Sequence, residues 1–201
     1  MGFALSHPDL AHAGSDRGRR WDGAIGAIGG GVVLAVAMLA AIVRGSVPAS
    51  AGLTIVTLLP AAWIDIRERR LPDVWVGAAA AVFGVVSTIE WSIGTTPTIG
   101  ETLAGALIVG GPILLLHLLS PAAMGFGDVK AGVVIGMAVG SLDWQLGLVA
   151  LTLAAGSAAT VGVVRHTPTI AFGPFLVLGG WLALVGNSVW LAPLADGRVA
   201  P

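Results

Sequence analysis

The chain has 201 residues, of which 56% are hydrophobic and 10% charged, with a mean hydropathy of +0.92 and a net charge of −1. A soluble domain carries about 25% charged residues, so too little polar surface is available to cover a water-soluble globule, and the near-neutral balance offers no basic field for nucleic acid. Cysteine is absent, which excludes disulfides, thiolate zinc sites and a cysteine nucleophile.

The composition therefore indicates an integral membrane protein built of helices, since barrel strands would alternate in polarity and these apolar runs are continuous. Residues 1–22 are polar and contain the cluster "DRGRR" (Asp16 to Arg20). They read as a cytoplasmic arm before a retained first span, because the following apolar run is too long for a signal-peptide core. Runs of spanning length then occur at Gly23–Val43, Val47–Ile64, Val74–Ile89, Thr102–Leu119, Asp128–Leu142, Trp144–Val164 and Thr169–Leu191. The expected architecture is an all-α polytopic bundle of about seven spans: an arm (1–22), a membrane-embedded domain (23–192) and a short tail (193–201).

Positive charge orients the spans. With the N-terminus inside, Arg17, Arg19, Arg20, Arg67, Arg69, Arg70, Lys130 and Arg165 fall on the cytoplasmic side and only Arg44 and Arg198 on the other. Trp21, Trp63, Trp75, Trp91, Trp144 and Trp190 mark span ends as an interfacial belt would. In the fifth span Gly132, Gly136 and Gly140 share one face, a pattern that lets a neighbouring helix approach closely.

Few acids are present, so each can be weighed. Glu90, Glu101 and Asp143 fall at outer span ends and read as solvated carboxylates. His117 closes the fourth span without a second metal-spaced ligand and reads as a hydrogen-bonded packing residue. Two acids differ. Asp65 closes the second span, following Pro60, in "LLPAAWIDIRERRLPD" (Leu58 to Asp73), and Asp128 opens the fifth in "GFGDVK" (Gly125 to Lys130). The charge-based orientation brings both to one boundary. Two carboxylates held together share one proton, and the pair can then take a proton from water while polarising a carbonyl. The plainer alternatives are an N-cap role for Asp128 and ion pairs between Asp65 and Arg67, Arg69 or Arg70.

Three stretches carry a resemblance. "GFGDVK" matches the Gly-x-Gly-Asp signature of membrane aspartyl proteases, with the lysine typical of bacterial prepilin peptidases. "DIRERRLPD" resembles that family's second element, an aspartate followed seven residues later by proline, and "AFGPFLVLG" (Ala171 to Gly179) resembles its Phe-Gly-Pro-Phe-Leu segment. The likeness covers Asp65 to Gly179. It implies Asp65 and Asp128 as the catalytic pair, with Gly125, Gly127, Lys130 and Pro72 in supporting or substrate-binding positions and no metal or cofactor. The substrate implied is a type IV prepilin, Tad/Flp pilin or pseudopilin, whose basic leader precedes an apolar helix in the lipid bilayer. Leader removal would occur at the cytoplasmic face of the inner membrane. Asp73 departs from the family, which has asparagine there. The four-cysteine zinc loop of its longer members is also missing, so peptidase activity without N-methyltransferase activity is expected. Glu68 and Asp73 are candidates to attract a basic leader or to pair with the adjacent arginines. The alternatives from other classes are a presenilin-like intramembrane protease, a proton-coupled transporter using both carboxylates as a relay, and a structural membrane subunit. Oligomeric state is not specified by the sequence.

Overall fold

In the computed structural model every described element is a helix, as unbroken apolar runs require where backbone groups must be satisfied within their own segment. The structure describes residues 26, 28–94, 99–121, 124–166 and 170–187. The arm and tail expected at 1–22 and 193–201, with Trp21 and Trp190, lie outside them. Among the described residues there are seven helices in order: α1 (Ile28–Val43), α2 (Ala49–Glu68), α3 (Asp73–Ser92), α4 (Ile99–Leu119), α5 (Phe126–Gly140), α6 (Gln145–Arg165) and α7 (Gly173–Gly186). Each overlaps one apolar run of the sequence. Four of them, α2, α3, α4 and α6, are long and apolar enough to cross a membrane. The others are shorter; α5 has 15 residues and α7 has 14. The chain divides into two compact units at Val36/Ala37, and helices α2 to α7 all belong to the second.

Local chemistry sets the helix ends. Arg69 takes left-handed torsions (φ 53°) and its N–H donates to the Asp65 carbonyl at 2.9 Å, a cap that stops α2. Pro72, extended at ψ 124°, then directs the chain into α3. His166 ends α6 in the same left-handed way (φ 50°), and Pro174 stands in the first turn of α7, where its missing N–H is harmless.

Packing centres on α5, which touches α2, α3, α4, α6 and α7. The contact with α4 is backbone to backbone. A Cβ at Gly136 would strike the Gly105 carbonyl and lie 2.8 Å from Ala106 Cα; one at Gly140 would lie 2.6 Å from the Glu101 carbonyl. The four-residue glycine period is thus the α4 contact face, the small-residue packing of membrane helices. Ile55, Leu58, Val109, Ile113, Ile135, Leu176 and Leu184 fill the core around it.

One end of the bundle gathers the C-terminal ends of α2, α4 and α6 with the N-terminal ends of α3, α5 and α7. The other end is held by an unexpected group. Glu90 is not a solvated carboxylate: it is 9% exposed and accepts the Ser50 N–H at 3.1 Å. Ser50 lies in the first turn of α2, so Glu90 satisfies an otherwise orphaned helix N–H and favours the positive end of the α2 dipole.

Both contacts have consequences for stability. Gly136→Val should lower the melting temperature in detergent by the equivalent of about 1–3 kcal/mol or more, the cost of overpacking. Gly156→Val, whose Cβ meets nothing within 4 Å, should leave it unchanged. Glu90→Leu should destabilise by about 1–3 kcal/mol, the cost of a buried N–H left unmade, while Glu90→Gln keeps an acceptor and stays near wild type; equal melting of the Leu and Gln variants would contradict the capping role.

Candidate functional site

Asp65 is the fourth residue from the end of α2, and α2 runs on through Glu68 rather than closing at the acid. Its residue is only 4% exposed. An isolated carboxylate there would be expensive. Its Oδ2 accepts the Gly173 N–H at 3.1 Å, from the first turn of α7. A helix N-terminus suits a carboxylate through both its free N–H groups and its dipole. Two of the three arginines considered as partners are engaged elsewhere: Arg67 stacks 4.4 Å over the Trp63 ring, and Arg70 pairs with Glu68 at 3.0 Å.

Asp128 is not the N-cap of α5. Gly125 holds the N-cap position, the helix begins at Phe126, and Asp128 is its third residue, with the Gly125 main chain bonded to its carboxylate. This is the returning half of a capping box, in which an acid at the third helical position reaches back to the cap N–H. Asp128 is half-buried and within electrostatic range of Asp65. Two helix ends, from α5 and α7, therefore turn their amides toward two carboxylates that lie within electrostatic range of each other.

The glycines make this approach possible. Gly127 packs under Leu71, where an added Cβ would lie 3.1 Å from Leu71 Cβ; at Gly173 it would lie 2.7 Å from Asp65 Oδ2 and also meet Leu71. Leu71 thus bridges the α5 and α7 starts from the α2–α3 turn. Neither Gly173 nor Leu71 stands out as a site residue in the sequence; the Phe-Gly-Pro-Phe-Leu stretch holds the signal, but the bond joins residues 108 positions apart.

A cavity of about 540 Å³ opens over this region, lined by Arg69, Arg70, Leu71, Pro72, Asp73, Gly125, Phe126, Gly127, Asp128 and Lys130. Of the six residues singled out from sequence, Pro72, Gly125, Gly127, Asp128 and Lys130 line it, and Asp65 is buried beside Gly173. Lys130 does not project freely: its Nζ donates to Asp73 Oδ2 at 2.8 Å and lies 5.2 Å from the Phe126 ring centroid. Asp73 accordingly pairs with Lys130 rather than with an arginine, and Glu68 with Arg70. His117 bonds the Met124 carbonyl through Nδ1 at 2.8 Å and tilts against Phe126, a packing role that steadies the start of α5. Among the described residues no group of three or more His, Cys, Asp or Glu side chains could hold a metal ion.

The arrangement defines a helical multi-pass membrane protein with an aspartate pair at one end of its bundle. The sequence pattern of the type IV leader peptidase family matches residues 52–164, more than half of the chain, and the chain belongs to that family. Curated relatives named prepilin leader peptidase/N-methyltransferase include those of Dichelobacter nodosus (30% identical over 150 residues, 69% of this chain and 50% of the relative) and Stutzerimonas stutzeri (28% over 158 residues, 71% and 51%). That of Pseudomonas aeruginosa is 29% identical over 143 residues, 64% of this chain and 46% of the relative. The chain spans about half the length of these relatives. No solved structure matches it significantly.

The Leu71–Gly127 contact is open to direct test because the chain has no cysteine of its own. With Cβ positions 3.1 Å apart, close to the 3.5–4.5 Å of a disulfide, Leu71→Cys with Gly127→Cys should oxidise to an intramolecular disulfide in membranes. Leu71→Cys with Gly84→Cys should not, and free thiols in both pairs would contradict the turn's position over α5.

Proposed function

We propose that this protein is an aspartic endopeptidase that removes the leader from type IV prepilins or related pilin and pseudopilin precursors, with Asp65 and Asp128 as its catalytic pair. The observation that carries the reading is that these two acids, from separate helices, lie within electrostatic range, Asp65 buried against Gly173 and Asp128 lining a cavity with Gly125, Gly127, Pro72 and Lys130. Family membership supports the substrate class.

The chemistry needs no cofactor. Like charges a few ångströms apart cannot both ionise cheaply, so the pair holds one proton between them. The ionised carboxylate takes a proton from a bound water as its oxygen attacks the scissile carbonyl; the protonated one hydrogen-bonds the carbonyl oxygen. The tetrahedral oxyanion held by that hydrogen bond then collapses to a carbonyl as the C–N bond breaks, and one of the two protons now on the pair passes to the departing amine, which leaves the single shared proton. Burial of Asp65 excludes bulk water, and the Gly173 amide keeps its carboxylate oriented. Lys130, tied to Asp73, acts as a local cation that tunes the pair and does not itself transfer protons.

The same reading takes all seven helices as crossing the membrane, with a cytoplasmic arm at 1–22, a peptidase domain at 23–192 and a tail at 193–201. The acid end faces the cytoplasm of the inner membrane. Among the described cations, Arg67, Arg69, Arg70, Lys130 and Arg165 belong to the acid end and Arg44 to the other, the bias expected of a cytoplasmic face. The short link between α1 and α2, residues 44–48, and the absence of cysteine leave no zinc loop in this chain, so the activity assigned is hydrolysis without methyl transfer.

Groups that act as one unit give strongly non-additive losses. Asp65→Asn and Asp128→Asn should each cut leader removal from a co-expressed prepilin, read as a mobility shift, by roughly four orders of magnitude or more, with the double variant little worse. Lys130→Ala should lose less. EDTA should have no effect, and S-adenosylmethionine should donate no methyl group to the product. Robust cleavage by either Asp→Asn enzyme would exclude this pair as the catalyst.

A further inference from the structure

Helices α3 and α4 both pack on α5 but scarcely touch each other, which leaves a lateral groove with α5 as its floor. Nine of the fifteen residues of α5 are buried. The residues that are not buried beyond its first turn are Lys130, Val133 and Met137, and with Phe126 they fall at spacings of four, three and four, one helical face. That stripe is the floor, and at 1.5 Å per residue it runs about 17 Å.

The two walls differ. On α3 the row at the same spacing is Asp73, Gly77, Ala80, Gly84, Ser87 and Trp91. Its two ends are anchored to the groove: Asp73 bonds Lys130 on the floor, and Ser87 and Trp91 line a cavity of about 430 Å³ in the far half. A Cβ at Gly77 or Gly84 would meet nothing within 4 Å, so these glycines serve no internal packing. On α4 the facing wall is mostly apolar, with Ile99 and Leu103 beside the buried Thr102 in the same cavity. The α3 wall hydroxyls ask nothing of an occupant: Ser87 and Thr88 both donate to the Gly84 carbonyl of their own helix, at 3.3 and 2.7 Å.

At its other end the groove opens onto the cavity that Asp128 lines. Asp73, Phe126 and Lys130, which form its mouth, also line the 540 Å³ cavity that contains Asp128. An occupant of the groove is therefore led over the first turn of α5 to the carboxylates. A wall of small residues, spaced for close backbone approach, opposite a wall of large aliphatic ones suits an apolar helix better than a polar ligand.

We propose that the α3–α4 groove receives the apolar membrane helix of the precursor protein, laid along α5 so that the chain at the end of that helix crosses the Lys130–Asp73 pair and reaches Asp65 and Asp128. This rests on the peptidase reading. It makes Gly77 and Gly84 specificity-determining residues remote from the chemistry, and it gives the lysine–aspartate pair the task of joining α3 to α5 where the substrate enters.

The test uses the full chain in phosphatidylethanolamine–phosphatidylglycerol vesicles with a type IV prepilin that retains its apolar segment. Gly77→Leu with Gly84→Leu should fill the groove without disturbing the fold and raise KM on the full precursor by roughly tenfold or more, with a much smaller change on a peptide that ends just after the leader junction. Gly156→Leu, outside the groove and equally uncrowded, should behave as wild type. Equal KM for the double variant and wild type on the full precursor overturns the proposal. A photoreactive benzoylphenylalanine at Val133, in an Asp128→Asn background, should cross-link to the precursor's apolar segment. Cross-links only to lipid, or only to a second copy of this chain, overturn it too. Because cross-linking needs no turnover, a wild-type chain that cleaves neither substrate defeats the peptidase reading, while the cross-link still decides the groove.

Discussion

Everything at the acid end depends on α5 packing against five other helices at once. A helix of 15 residues can be surrounded in this way only where neighbours approach to backbone distance, and Gly136 and Gly140 against Gly105 allow that on the α4 side. Once α5 is fixed there, its first turn has one place to go, beneath Leu71 and beside the end of α2. The position of Asp128 next to Asp65 is then a result of packing.

Magnitudes support that order of causes. The Lys130–Asp73 pair is well exposed to its surroundings on both sides, and such pairs contribute about 0–1 kcal/mol. Overpacking a helix contact of the Gly105–Gly136 type costs about 1–3 kcal/mol, and leaving the Ser50 N–H unmet at the far end costs a similar amount. Glu90 holds α3 to the start of α2, and the Gly173 amide holds α7 to Asp65 near the other end of α2, so the two clamps act at opposite ends of one helix. The charges near the cavity adjust an architecture that glycine contacts and buried amide bonds set.

Much of this is legible in the residues. Apolar runs locate every helix to within a few positions, the period of Gly132, Gly136 and Gly140 marks the contact face of α5, and the two acids at one boundary stand apart from the rest. Glu90 departs from the solvated carboxylate that its place near a span end suggests, because nearness to an end is not exposure. Its face is the better guide: it shares one side of α3 with Val76, Ala79 and Phe83, all buried. Asp128 resembles an N-cap in the sequence because periodicity does not register the two extra residues, Phe126 and Gly127, that begin the helix. The Gly173–Asp65 bond and the Lys130–Asp73 pair join residues 108 and 57 positions apart, and no local rule connects them. The groove is the emptiness left between α3 and α4, and the exposed glycines of α3 acquire meaning only when α5 lies beside them.

The central claim is that the side chains at positions 65 and 128 meet in the folded membrane protein. The absence of native cysteine allows it to be measured without reference to any activity. With Asp65→Cys and Asp128→Cys in one chain, a short thiol-specific bifunctional reagent should join the two thiols within single molecules, detected as an intact bridged mass and loss of both free thiols. Independent labelling of both thiols by separate reagent molecules, with no bridge, would mean that the two positions do not face one another and would remove the basis for reading them as a pair.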